Sequence, residues 1–487
     1  MLRDFKWNPS ARILIVIKSL KQIELKTIFD VLLKQHVINV VVVNGTDDAL
    51  LYTYNPFDHY GCGRNYKYVE ALGTCLQTDT NLFPNKLVTG LRNCTLRAAV
   101  PDRPPYAINP ALVKKGIKMG AEQYALQLIT EPEEIKVNYT YAYDFETFTT
   151  ITPDLKIDGP LNKLYKGEVD VMFGEAFLVA ARAEAFTYIS GYLDISDQMY
   201  FFVKRAPDVP AWKVLYLVFQ PPVFLLMTIF YLVYSITAIK FLQAKDASSI
   251  ALKLLLCLVG HGCRIPRGQK AHILFLIWIW FAYLMNSFYQ SSLYSLITHP
   301  VKEYQIANEN DLTAYNIKPC ITSPLLGFYS IEYKEAFAMN QNSLDCTNIT
   351  SFLETVSNSY ELYTLCQKTI YNFYKRMYYD KYGQSKLYAF DKPYSKVIMA
   401  MFFYKGFPVT EKMMKVVNYL HETGLIKKSI TDQEYALNFK HKFQDKEFQY
   451  MIVIPWYTLA AGYTIATITL VIEIVYKKKG LNKASSQ

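Results

Sequence analysis

The spacing of apolar and polar positions changes character along this chain of 487 residues. Residues 12–54 alternate in type. Arg12–Ile17 reads as a strand, and Leu20–Gln35 carries Leu25, Ile28, Phe29 and Leu32 at helical spacing. Val37–Val43, β-branched at every position but Asn39, is a run of the kind buried on both faces in a parallel sheet. Ala49–Tyr54 reads as another strand, and the fragment is too small to bury a full core alone. Asn55–Gly90 is turn-rich and cysteine-bearing, and reads as a linker. A second α/β pattern starts at Cys94. It predicts a strand over Leu96–Val100, a rigid extended loop over Pro101–Tyr106 and a helix over Lys114–Ile129. Strand character follows over Asn138–Phe148, then a short helix opening at Leu161–Tyr165 and a strand over Val169–Phe173. A loop carrying Arg182 leads to a last strand, Phe201–Lys204.

The pattern then reaches membrane length. The uncharged run between Lys213 and Lys240 contains Pro221-Pro222, which breaks it into a short interfacial piece and a crossing from about Val223 to Ile239. Further crossings are expected over Ala271–Thr298 and roughly Phe448–Ile472. Between the first two lies Ile250–Val259, too short to cross and interrupted by Lys253, followed by the turn-rich Gly260–Arg267. Non-helical backbone at membrane depth is tolerated only where protein or a water-filled cavity lines it. A half-crossing, a Gly-rich tip and a full crossing therefore give the layout of an ion pore. Beyond it, Glu303–Asp445 is again mixed, with strands over Ile317–Ser323, Leu387–Phe390 and Val397–Tyr404. Thr410–Glu422 is an amphipathic helix stopped at Gly424. Two α/β regions split by a pore must come together to bury their apolar faces.

Three crossings put the termini on opposite sides. Lys240, Lys245, Arg264, Arg267, Lys270 and the terminal lysines then share one face, which the positive-inside rule makes cytoplasmic. The N-terminus is then extracellular. Four glycosylation sequons, at Asn44, Asn93, Asn138 and Asn348, fall in segments assigned outside. Six of the eight cysteines do too (Cys62, Cys75, Cys94, Cys320, Cys346 and Cys366), and they predict disulfides of undetermined connectivity. Cys257 and Cys263 are expected to be free. Met1–Ser10 is polar and Ile13–Ile17 is too short for a secretory core, so how the chain is targeted stays open.

Composition narrows the function. At 51% hydrophobic residues the chain suits a few membrane helices attached to a sizeable extramembrane part. The net charge of +10 is dispersed, and its one tight cluster, Lys477-Lys478-Lys479, follows an apolar run as a stop-transfer anchor. No nucleic-acid partner is expected. The absence of any CxxC pair argues against a zinc site, and no metal or cofactor is expected. The chain lacks a Gly-x-Ser-x-Gly elbow, a P-loop and a His-Glu-x-x-His motif, so no catalytic residue is assigned and an enzyme is disfavoured.

Four stretches resemble a known family. Arg97-Ala98-Ala99-Val100 through Pro105-Tyr106-Ala107 is similar to the opening strand and Pro-Tyr turn of the first ligand-binding lobe of ionotropic glutamate receptors. Gly167-Glu168-Val169-Asp170 through Arg182-Ala183-Glu184 resembles that lobe's later strand and binding loop. Gly262-Cys263 resembles the Gly-Cys after the pore tip. Tyr289 through Leu296 resembles the gate motif of the divergent arthropod branch, the chemosensory ionotropic receptors. The similarity covers about residues 94–476.

The resemblance implies a membrane protein combining α/β and transmembrane α structure. A two-lobed periplasmic-binding-protein-like domain is split by a pore domain of three transmembrane helices and one re-entrant loop. It implies lobe 1 at 94–207 and lobe 2 at 299–447, after a short amino-terminal α/β fragment and linker at 1–93. The pore domain follows from helices at 211–242 and 271–298 around a re-entrant loop at 248–268, with a last helix at 448–476 and a cytoplasmic tail at 477–487. It implies a subunit of a ligand-gated non-selective cation channel in the cell membrane, working with co-receptor subunits in a hetero-tetramer surrounded by membrane lipid. A non-conducting ligand-binding or accessory subunit is the alternative.

The family's ligand-carboxylate arginine falls on Arg182, whose guanidinium fork suits a carboxylate. Its ligand-covering aromatic falls on Tyr106. Phe177 stands where a hydroxyl residue is usual, and Glu175 where proline is. Tyr371 or Asn372 stands near the position of the acid that pairs a ligand ammonium, and neither is an acid. The pattern therefore disfavours glutamate and leaves a small carboxylic acid or amine as ligand. In the pore, Gly260 falls at the selectivity position, followed by His261, Gly262 and Cys263, with Arg264 replacing an acid. Tyr289, Leu293 and Leu296, with Gln290, are assigned to the gate.

Overall fold

The computed structural model describes all residues except 1–6, 19–21, 46–48, 76–80, 88–90, 112–118, 142–148, 153–155, 194–196, 244–245, 300, 333–345, 347–350, 439–448 and 485–487. The chain divides into two units: Met1–Arg205 with Ile306–Gln444, and Ala206–Gln305 with Asp445–Gln487.

The first unit opens with β1 (Ile13–Ile17), a helix over Gln22–Lys34, β2 (Val40–Asn44), β3 (Leu50–Tyr54) and β4 (Val69–Thr74). These strands form one sheet in that order, β1 parallel to β2 and the rest antiparallel. The valine run explains itself. Val40 and Val42 pack with Leu25, Phe29 and Leu32 of the helix, whereas Val41 and Val43 pack with Leu51 on the other face. Both faces are covered, so alternation is lost. The expectation that Asn55–Gly90 is a linker needs correcting. Within it, β4 closes the sheet, and Lys86 lies buried, donating from Nζ to the carbonyl of Ile38 and the hydroxyl of Thr53, each at 2.7 Å.

The same unit continues with β5 (Thr95–Val100), a helix over Ala121–Thr130 and β6 (Lys136–Tyr141). A small ribbon of β7 (Thr150–Ile151) and β8 (Ile157–Asp158) follows, then β9 (Val171–Met172), β10 (Thr187–Ser190) and β11 (Asp197–Lys204). After the membrane-length helices come β12 (Lys318–Pro319), β13 (Leu362–Gln367), β14 (Leu387–Ala389), β15 (Ser395–Val397) and β16 (Ala400–Phe403). Two five-stranded sheets result. One has the order β10-β16-β9-β5-β6; the other has the order β12-β13-β11-β14 with β15 also paired to β11. Each sheet therefore takes a strand from the other side of the helical region: β16 completes the first and β11 sits within the second. The predicted run Val397–Tyr404 divides at Ile398–Met399 between the two sheets. The helices expected from Lys114 and the strand expected to Phe148 are described only from Ala121 and only to Tyr141.

The second unit holds a short helix Ala211–Leu217, a helix Pro221–Leu242, a helix Ala247–Leu258 and a helix Gln269–Thr298. Pro221-Pro222 stands at the start of the second, where a missing N–H costs nothing. Pro221–Leu242 and Gln269–Thr298 are long and apolar enough to cross a membrane. The third expected crossing falls on helix Gln449–Ala484, whose described apolar stretch is Leu459–Ile474. Side chains of the long helices donate to backbone carbonyls of other helices. Trp278 Nε1 reaches the Leu254 carbonyl at 2.8 Å, Asn286 Nδ2 the Leu258 carbonyl at 2.8 Å, and Tyr234 Oη the Leu274 carbonyl at 2.8 Å. In an apolar surround such partners are scarce, so the first two bonds fix the short helix in place and the third ties the two long helices together. The segments entering and leaving this region pair with each other, Val209 N–H donating to the Val301 carbonyl and Glu303 N–H to the Pro207 carbonyl, both at 2.9 Å.

Two disulfides form, Cys62–Cys94 and Cys320–Cys346. Cys75 is exposed and free; Cys366, Cys257 and Cys263 are also free.

Candidate functional site

The strand β9 ends at Met172, and the chain then makes a sharp turn. Gly174 has φ +108, and an added Cβ would lie 2.4 Å from Pro101 Cγ, so only glycine fits. Glu175 follows with φ +62, an unusual conformation for a residue with a side chain. The turn delivers Glu175 and Phe177 to a cavity of about 80 Å³. Arg182 also lines it, but from a short helix, Ala180–Ala185, rather than from the expected loop. Thr322, Leu325, Phe352, Cys366 and Gln367 line it from the chain beyond the membrane-length helices. Three of the four residues assigned to ligand binding thus line one cavity.

Arg182 is buried. Its Nη1 donates to the Phe177 carbonyl at 3.0 Å and its Nη2 to the Thr149 carbonyl at 3.2 Å. The guanidinium therefore ties two loops as well as lining the cavity. Phe177 is buried against Phe328, with ring centroids 4.8 Å apart. Tyr106 is not among the cavity's lining residues. It is buried, and its hydroxyl donates to the Asp197 carboxylate.

Three acids surround this corner, Glu122 buried and Glu175 and Asp197 half-buried. Glu175 is pushed up to about 6, chiefly by burial, against the pull of Arg103, whose Nε lies 3.9 Å from its carboxylate. Glu122 is pushed up to about 7 by burial, although Tyr192 Oη donates to it at 2.5 Å and the Glu175 N–H at 3.1 Å. Burial also raises Asp197, opposed by the donors Tyr106 and Thr369. Low dielectric outweighs the donors in each case. Gln367 lines the cavity and is 1% exposed, and among the described residues neither its Oε1 nor its Nε2 has a hydrogen-bond partner of good geometry. It lies close enough to Glu175 to help oppose the upward push of burial on that carboxyl. Arg103, Glu122, Asp197 and Gln367 were not singled out from sequence. Arg103 lay within a quoted stretch, whereas Glu122 and Gln367 carry no local signal.

The other assigned residues lie elsewhere. Gly260 has φ +84 and ends helix Ala247–Leu258. Its N–H donates to the Cys257 carbonyl at 3.1 Å and that of His261 to the Leu256 carbonyl at 2.8 Å, a Schellman closure. Gly260, His261 and Gly262 are exposed and Cys263 half-buried. On helix Gln269–Thr298, Tyr289, Leu293 and Leu296 are half-buried and Gln290 exposed. Tyr289 Oη points to the Leu215 carbonyl at 3.5 Å, and its ring stands 5.8 Å from that of Phe219. Of the sequons, Asn93 and Asn138 are exposed, Asn44 is half-buried, and Asn348 lies outside the described residues.

Residues 11–89 match a family model described as "Putative ionotropic receptor, ligand binding domain". The match supports an ionotropic receptor family, with the small-molecule ligand and membrane setting such receptors have. It falls on the β1–β4 sheet and its surroundings, ahead of the cavity just described. No curated protein matches the chain.

Proposed function

We propose that this chain is a subunit of a ligand-gated, non-selective cation channel of the divergent chemosensory type. The observation that carries the reading is the cavity lined by Glu175, Phe177 and Arg182 from the chain before the membrane-length helices and by Leu325 and Gln367 from the chain after them. Two chain segments that share one ligand space can be drawn together by a ligand that binds the closed arrangement more tightly. The pull passes along the segments that join the two units, around residues 298–304 and 445–451, and opens a gate on helix Gln269–Thr298. The N-terminus is extracellular, the C-terminus cytoplasmic, and the partners are co-receptor subunits in a hetero-tetramer. A cavity of about 80 Å³ fits a ligand of only a few heavy atoms, in keeping with a small carboxylic acid or amine.

Whole-cell current, recorded with candidate co-receptors under a panel of small acids and amines, tests the reading. A ligand-evoked current that Leu325→Trp abolishes by filling the cavity, with surface expression kept, is the expected result. Surface expression without current under every combination would favour the second reading, a non-conducting ligand-binding or accessory subunit.

A further inference from the structure

A second, larger recess lies in the first unit. It has a volume of about 530 Å³, within the range of roughly 300–1,000 Å³ usual for ligand sites. One wall is the outer face of helix Gln22–Lys34, where Lys26, Asp30 and Lys34 recur every four residues. The floor is made by two arginines. Arg97 projects from β5, and Arg64 from the loop that Cys62–Cys94 fastens beside the start of that strand.

One carboxylate orients both. Asp170 is buried, and it accepts from Arg64 Nη2, from Arg97 Nε at 3.1 Å and from Arg97 Nη2 at 2.8 Å. The Arg97 backbone N–H adds a fourth bond at 2.8 Å. The guanidinium of Arg64 also donates to the Thr95 carbonyl and that of Arg97 to the Gly167 carbonyl. Nε and Nη1 of Arg64 and Nη1 of Arg97 make no hydrogen bond to the described residues, and the two side chains are 45% and 40% exposed. Lys26 and Lys34 form no ion pair among the described residues. Four cations against two carboxylates leave a surplus of two positive charges around the recess. His36, stacked on Tyr404 at 4.1 Å, adds no charge near neutral pH, since burial lowers it to about 4.

From this arrangement we infer that the recess binds a small multivalent oxyanion, a di- or tricarboxylate or a phosphate. The guanidinium N–H groups left over after Asp170 is served can each donate to either kind of oxyanion, and side chains already held by Asp170 lose little freedom when a ligand arrives. Most of the lining lies within residues 11–89, the stretch that matches the ligand-binding family model. The inference does not depend on the cavity at Arg182 or on channel activity.

The test is equilibrium binding to the purified full-length chain, with citrate and inorganic pyrophosphate as probes and chloride at matched ionic strength as reference. Saturable binding of citrate, pyrophosphate or both is expected, and which of them binds names the oxyanion. The double variant Lys26→Ala/Lys34→Ala, at two exposed positions, should weaken it at least tenfold, and Lys26→Arg/Lys34→Arg should restore it. No saturable binding beyond that of chloride overturns the inference, as does an affinity that the alanine pair leaves unchanged.

Discussion

The backbone N–H of Glu175 donates to the carboxylate of Glu122 at 3.1 Å, so the cavity's own acid is positioned by a fully buried acid on another element. Both acids are held above the ordinary carboxylate range, Glu122 at about 7 and Glu175 at about 6, because burial outweighs their donors. In the unfolded chain such groups release protons near 4.5. Between there and about pH 7 the native state keeps protons that the unfolded state has lost. Stability therefore falls as pH rises, by on the order of 3 kcal/mol for Glu122 alone at full effect. Thermal melts of the full-length protein should show a higher midpoint at pH 5 than at pH 8. Glu122→Gln, which can still accept from Glu175 and pair with Tyr192, should flatten that slope. Parallel slopes for both proteins would sink the assignment.

Arg182 is expected to matter for folding as well as for ligand. Removing its guanidinium strands the buried carbonyls of Phe177 and Thr149, at a cost of roughly 1–3 kcal/mol each. Arg182→Lys supplies charge without a fork and should recover at most one of the two bonds. Melting temperatures should fall in the order wild type, lysine, alanine. An alanine variant that melts like wild type while losing ligand response would assign the residue to the ligand alone.

The sequence reading of these elements succeeded where the cause is local. Pro221-Pro222 dictates where a helix starts, and four valines in a row dictate a strand covered on both faces. It failed where the cause is a distant partner. Nothing within Val69–Thr74 announces that it will pair with Leu50–Tyr54, so a strand was read as linker. Nothing in Ala400–Phe403 says that it will join Val171–Met172 rather than its own neighbours. Glu122 looks like any helix-surface acid until Tyr192, seventy residues on, is folded over it.

The disulfide Cys62–Cys94 closes a loop with a sequence separation of 32 between the β1–β4 sheet and β5. On chain-entropy grounds such a crosslink contributes about 3–4 kcal/mol. Replacing both cysteines by serine should lower the denaturation midpoint accordingly. It should also weaken oxyanion binding, since Arg64 follows Cys62 by two residues. Unchanged stability in the double serine variant would mean that this bond does not form in the native protein.

Gly260 gives the sharpest test of the segment assigned to the pore. It ends helix Ala247–Leu258 with φ +84, and the N–H groups of Gly260 and His261 close back on Cys257 and Leu256. An added Cβ would meet nothing within 4 Å, so the cost of any substitution is conformational rather than steric. A left-handed residue with a side chain costs on the order of 1 kcal/mol, least for asparagine and most for β-branched residues. Surface expression and helix packing should therefore follow Gly, Asn, Ala, Val, with small steps between them. Conduction is the separate readout. If Gly260 only ends the helix, Gly260→Asn should conduct like wild type. If its backbone also lines a constriction, the asparagine side chain at this open position should lower single-channel conductance at normal surface expression. Equal loss of expression in all three variants would mean that neither account of this glycine holds.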